Sequence, residues 1–205
     1  MNCPYGTHRS LQPLNSLPQA AWKVDAESPL GEREILVEVS TLNIDSASFT
    51  QLEEECEHDL ERISQRIVQI VQERGKMHNP VTGSGGMLMG TIAQVGAALQ
   101  GNPNAQGHVP EVGMQIATLV SLSLTPLRIR RILSISPESD QIQVEAQAIL
   151  FESGLWCPLP EDLPQEVALA ALDVAGAAAQ VARQVQPGDK VLVLGAGGKS
   201  GLLCC

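Results

Sequence analysis

The chain has 205 residues, 43% hydrophobic and 18% charged, with a formal charge of −10, which fits one large or two small globular domains around a substantial core. The acidic balance argues against nucleic acid, which needs clustered Lys and Arg, and 2% aromatic residues argue against a base-stacking surface. An acidic surface suits a cationic small substrate, and solubility accounts for it equally well.

Residues 1–30 are punctuated by Pro and Ser and predict turns with little regular structure. In EREILVEVS, apolar Ile35, Val37 and Val39 alternate with charged neighbours, the pattern of a half-buried strand. TQLEEECEHDLERISQRIVQIVQERGK then reads as one helix. Thr50 with Glu53 three residues on is a capping-box signature, and Leu52, Cys56, Leu60, Ile63, Ile67, Ile70 and Val71 form an apolar stripe. Gly75 supplies the stop.

From residue 87 the pattern turns to strands: MLMGTIAQV, MQIATLVSL, RIRRILSIS and QIQVEAQAIL, separated by Gly, Pro and Asn. After LPEDLP an alanine-rich helix is expected from about Gln165 to Gln186. Pro187-Gly188-Asp189 turns the chain into KVLVLG, read as a buried strand of the parallel type. No internal repeat is present.

The next stretch, Gly195-Ala196-Gly197-Gly198-Lys199-Ser200-Gly201, fits GxxGxxG. Glycines after a buried strand allow a tight turn, close approach to a pyrophosphate and close packing of the following helix. An ordinary strand-to-helix turn stays open as the alternative. A P-loop is rejected, because it needs glycine where Val193 stands.

The five cysteines (Cys3, Cys56, Cys157, Cys204, Cys205) are too few and scattered for a disulfide framework. MNCPYGTHRS lacks the apolar run of a signal peptide, and VALAALDVAGAAAQVA, interrupted by Asp173, is a poor membrane span. The chain reads as cytoplasmic, with no nucleic-acid or membrane partner.

A β-rich domain followed by a helix, PGDKVLVLGAGG and a glycine turn resembles the medium-chain dehydrogenase/reductase superfamily. ILVEVSTLNIDSASF looks like its first core strand and catalytic loop, NPVTGSGGMLMGTIAQVG like its Gly-His-Glu loop and next strand, and VGMQIATLV like its Gly-Asp-x-Val strand. More narrowly, CPYGTHR, LNIDSASFTQ, RGKMHNPVTGSGGM, IATLVSLSLTPLRI and AILFESGL resemble the 3,5-diaminohexanoate dehydrogenase family. The resemblance implies an α+β fold: a GroES-like β-rich catalytic domain over 1–163 with a helical insertion near 50–75. The first β-α turn of a truncated Rossmann domain follows over 164–205. It also implies NAD as cofactor and oxidative deamination of a diamino acid, releasing ammonia. The chain is expected to be an incomplete piece that by itself binds NAD poorly, and a homo-oligomer of a longer form stays open.

The departures bear on mechanism. Asp45 stands where zinc-dependent relatives carry a Cys ligand, Ser84 where they carry His, and Ala170 falls at about the third ligand. Serine and alanine do not replace His and Cys as ligands, so no catalytic metal is expected. By resemblance, Asp45 holds a substrate ammonium or acts as base, His78 is the best-placed base, and Ser84 hydrogen-bonds substrate. Ordinary roles compete with each: an Asx-turn or helix cap for Asp45, a structural or solvated histidine for His78. Glu152 and Asp173 are further acidic candidates, and Lys76 or Arg9 are candidates for a substrate carboxylate. A zinc-free quinone or enoyl reductase and a non-catalytic fragment remain as rival readings.

Overall fold

A computed structural model of the chain describes residues 3–160 and 162–205, except the side chains at 166, 170, 175 and 199. It divides into two compact units, Met1–Pro158 and Leu159–Cys205.

In the first unit a single 3-10 turn, Thr7–Arg9, leads into β1 (Ser10–Gln12), which pairs with β2 (Lys23–Val24). The main sheet is built from β3 (Glu34–Asn43), β4 (Met87–Val95), β5 (Gln115–Thr118), β6 (Leu127–Ser136), β7 (Gln141–Phe151) and β8 (Trp156–Pro158). Its order is β6-β7-β3-β4-β5-β8, and every pairing is antiparallel. β3 lies inside the sheet, and its Leu42 sits between Leu88 of β4 and Ile142 of β7. All three are fully buried.

The single expected helix is two. α1 spans Ser46–Glu55 and α2 spans Leu60–Arg74. Glu57 and His58 between them take left-handed backbone angles, φ 57° and 58°, which no α-helix tolerates. The Thr50/Glu53 capping box is therefore not the start. Asp45 caps α1 and Asp59 caps α2, the latter accepting the Glu61 and Arg62 N–H groups. The apolar stripe holds in α2, where Ile63, Ile67, Ile70 and Val71 are buried in the core with Phe49 and Leu52 of α1. Gly75 ends α2 in the left-handed conformation at φ 70°.

The Pro- and Ser-rich opening is fastened to the sheet by a buried ion pair. Arg9 grips Glu34 at the start of β3 through Nε (2.9 Å) and Nη2 (2.6 Å), and His8 and the Gly31 N–H take the remaining carboxylate positions. Burial alone would raise the Glu34 carboxyl, but Arg9, Gly31 and His8 outweigh it and hold it lowered.

The second unit holds α3 (Gln165–Gln184) and the short α4 (Lys199–Cys204). The expected strand KVLVLG does not form: residues 190–193 have no regular structure, and Leu192 and Leu194 are 82% and 85% exposed. A parallel strand is stable only between neighbours that take its N–H and C=O groups, and no described residue pairs with it. No helix among the described residues is long and apolar enough to cross a membrane.

Candidate active site

The site grows from the end of β3. The strand runs into Asp45, whose extended backbone starts α1 and whose Oδ1 accepts the Ser48 N–H at 3.0 Å. This satisfies one of the helix's free donors and fixes the carboxylate, leaving Oδ2 to point elsewhere. Oδ2 accepts the Ser84 hydroxyl at 2.8 Å. Two of the expected site residues, Asp45 and Ser84, are thus in direct contact.

Residues 76–86, between α2 and β4, bring Ser84 there. Fully buried Asn79 organises the turn. Its Oδ1 accepts the Val81 and Thr82 N–H groups, its backbone exchanges hydrogen bonds with Gly83 and Ser84, and its Nδ2 donates to Gln51 Oε1 at 2.8 Å on α1. Beyond it, Gly86 has φ 99°, and a Cβ there would lie 1.9 Å from the Asn43 carbonyl oxygen. Only glycine fits this return to the sheet.

Two residues the sequence did not single out complete the cluster. Buried Ser48 places its Oγ 2.6 Å from Thr82 Oγ1 and 3.0 Å from Ser84 Oγ. Thr82 Oγ1 is 3.2 Å from Ser84 Oγ. Three hydroxyls thus form a triangle with one corner on the Asp45 carboxylate. A signal was available: a serine three residues after a capping aspartate, and Asn-x-x-Thr-x-Ser just before a glycine pair.

His78 takes no part in these bonds. Its Nδ1 is buried without a hydrogen-bond partner among the described residues. Burial, then the charges of Lys76 and Arg74, push the imidazole down to about 4 against a weak opposing pull from Gly83, so the ring is neutral near pH 7. Fully buried Lys76 donates to the Pro18 carbonyl at 2.6 Å and the Gln19 carbonyl at 3.4 Å. Burial and Arg74 lower it to about 8.

Lys76 and Arg9 are both occupied inside the fold, which removes them as ligands for a substrate carboxylate. Glu152 pairs with Arg33 at 2.6 Å. Asp173 lies in α3, apart from this cluster in the chain and in the other unit. Among the described residues no three His, Cys, Asp or Glu side chains gather as a metal would require.

In the second unit, Gly195 turns at φ 79° and Gly198 caps α4. A Cβ on Gly201 would lie 2.4 Å from Ala196 Cα, so the helix packs on the turn only with glycine there. Gly197 and Gly198 face open space. The side chains of Lys199 and Ala170 lie outside the described residues.

The six-stranded sheet with its helices has a fold like that in the crystal structure of JamJ enoyl reductase (TM-score 0.50, 13% identity, 87% of this chain and 43% of that one). That likeness concerns fold alone. Residues 8–160 match the family model of the L-erythro-3,5-diaminohexanoate dehydrogenase N-terminal domain, and the chain belongs to that family. It is 56% identical over 203 residues to the L-erythro-3,5-diaminohexanoate dehydrogenase of Acetoanaerobium sticklandii, and 55% identical over 202 residues to that of Fusobacterium nucleatum subsp. nucleatum. These matches cover 99% and 98% of this chain, which spans 58% and 57% of the two relatives' length.

Proposed function

We propose that this chain carries the substrate-handling domain of an NAD-dependent dehydrogenase that oxidatively deaminates L-erythro-3,5-diaminohexanoate to 5-amino-3-oxohexanoate and ammonia. The reading rests on the identity to two relatives of that name together with one observation, the Asp45 carboxylate fixed by a helix cap and hydrogen-bonded to Ser84. A substrate amine arrives as an ammonium and must lose a proton before hydride can leave its carbon. A fixed carboxylate attracts that ammonium, and Asp45 either holds it or takes the proton. Ser84 orients the carboxylate and offers its oxygen to the substrate nitrogen. His78, neutral near pH 7, stands in the form that accepts a proton, although its lowered pKa makes it the weaker base.

The nicotinamide, when bound, supplies the hydride acceptor. The turn Gly195–Gly201 fits a pyrophosphate in two respects: glycine is required at Gly201, and Gly197 and Gly198 leave their backbone open. Gly195, Ala196, Gly197, Gly198, Lys199, Ser200 and Gly201 are the residues that would hold it. The substrate is a soluble diamino acid.

The test is formation of reduced nicotinamide and ammonia from L-erythro-3,5-diaminohexanoate. It is run with the chain alone and with the chain fused to the part of the A. sticklandii relative outside the matched region. Turnover in the fusion supports the proposal. Absence of turnover in both, with reduction of an enoyl or quinone substrate instead, overturns it.

A further inference from the structure

Four oxygen-to-oxygen contacts join Asp45, Ser48, Thr82 and Ser84: Ser84 to Asp45 at 2.8 Å, Ser48 to Thr82 at 2.6 Å, Ser48 to Ser84 at 3.0 Å and Thr82 to Ser84 at 3.2 Å. Each hydroxyl brings one proton, and an ionised carboxylate brings none. Three protons therefore serve four contacts, and the cluster is one proton short.

Either partner of each hydroxyl pair can donate, and the shorter contacts hold protons best, so the contact to go without is the longest, Thr82 to Ser84 at 3.2 Å. Asp45 only accepts when ionised, so the Ser84 proton points to it. Ser48 then donates to Ser84. With the Ser48 proton used on Ser84, the 2.6 Å contact between Ser48 and Thr82 is served by the Thr82 proton, and the Thr82 oxygen receives the Ser84 N–H at 3.4 Å. The contact left without a proton is Thr82 to Ser84, the longest of the four. Thr82 is exposed, Ser84 and Asp45 are half-buried, and Ser48, the middle link, is fully buried.

We infer that Thr82, Ser48 and Ser84 form a proton relay from the protein surface to Asp45, and that the cluster as a whole stores the proton removed from the substrate ammonium. The inference rests on the reading of this site as one that deprotonates an amine. In the transfer the Thr82 oxygen takes the ammonium proton while its own proton passes to Ser48. The Ser48 proton passes to Ser84, and the Ser84 proton passes to Asp45 Oδ2. One N–H bond breaks and one carboxyl O–H bond forms, every hydroxyl ends with one proton, and no electrons change hands. Afterwards Asp45 donates to Ser84, and the three hydroxyls close a ring of Ser84 to Ser48, Ser48 to Thr82 and Thr82 to Ser84. All four contacts are then served. Of the two roles open to Asp45, the relay selects proton acceptance, by way of the hydroxyls, and Ser48 and Thr82 join the residues that act in the reaction.

Two experiments decide it. Neutron diffraction from deuterated crystals of this chain near neutral pD needs no substrate. It is expected to show deuterons from Thr82 toward Ser48, from Ser48 toward Ser84 and from Ser84 toward Asp45, with none between Thr82 and Ser84. A deuteron from Ser48 toward Thr82, or from Ser84 toward either hydroxyl, overturns the relay whatever reaction the site performs. In the fusion protein, Thr82→Val is expected to lower kcat about a hundredfold, within the usual span for lost proton transfer. It is also expected to reduce the number of protons seen in a solvent-isotope proton inventory, and Thr82→Ser is expected to restore both. A kcat within about twofold of wild type in Thr82→Val contradicts the relay even if the diamino acid is the substrate. If the diamino acid is not turned over, the functional reading fails, and the neutron result still decides the hydroxyl directions.

Discussion

Replacing His78 by Gln tests whether the residues around it act electrically as the structure requires. The imidazole is lowered from 6.5 to about 4, first by burial and then by Lys76 and Arg74. Between those values the folded chain binds fewer protons than the unfolded chain. Stability is therefore full above pH 6.5 and is lost as pH falls through that window toward 4. At ~1.4 kcal/mol for each tenfold change the loss near pH 4.5 is at most about 3 kcal/mol, and solvent screening of the partly exposed ring brings it to about 1–2 kcal/mol. Gln keeps a polar side chain and removes the titration, so the variant lacks this loss while sharing every other titrating group. Urea denaturation followed by tryptophan fluorescence reads it cleanly, because Trp22 and Trp156 both lie in the first unit. The gap between the two proteins should change by about 1–2 kcal/mol between pH 7 and 4.5. Parallel curves across that range would refute the burial and charge argument for His78.

Lys76 acts with the same sign in an alkaline window. Its folded value of about 8 lies below the ordinary 10.5, so wild-type stability should rise between those values by up to about 3 kcal/mol, and Lys76→Met should lack the rise in the same denaturation assay. Gly86→Ala should cost at least about 2 kcal/mol, since it combines left-handed backbone with a clash against the Asn43 carbonyl. Gly83→Ala, left-handed with open space around it, should cost about 1 kcal/mol; melting temperatures of the two variants check the ranking. Arg9→Met should cost about 3–5 kcal/mol by leaving the Glu34 carboxylate buried without its guanidinium, and Arg9→Lys should recover only part of it, as read by urea midpoints.

Strand positions were legible because alternation survives in the fold. Val37 and Val39 face the core as their spacing requires, and the apolar runs near 87, 115, 127 and 141 all became strands. The capping of α1 was not, because Thr50 and Glu53 match the same local pattern as a true start. The choice was made by Asp45, where the chain leaves β3. KVLVLG shows the limit of reading burial from an apolar run. The run states what the side chains need, and the described residues supply no strand beside it.

The site was half legible. Asp45 and Ser84 came from the resemblance, which implies that they stand where zinc-dependent relatives carry ligands, and they do touch. Ser48, Thr82 and Asn79 are common polar types whose local spacing is a signal only once Asp45 is known to cap α1, and their meeting depends on a loop folding back against the first turn of that helix. Lys76 and Arg9 looked like free cations in sequence. In the fold their charges are used on carbonyls and on Glu34, which no local pattern reveals.

The most direct test of the account is Asp45→Asn in the fusion protein, assayed for reduced nicotinamide formed from L-erythro-3,5-diaminohexanoate. Asn keeps the cap on α1 and the contact with Ser84 but neither attracts an ammonium nor accepts its proton. The account predicts a fall in kcat/KM of at least about a hundredfold with the fold intact. Turnover close to that of the parent protein would contradict it.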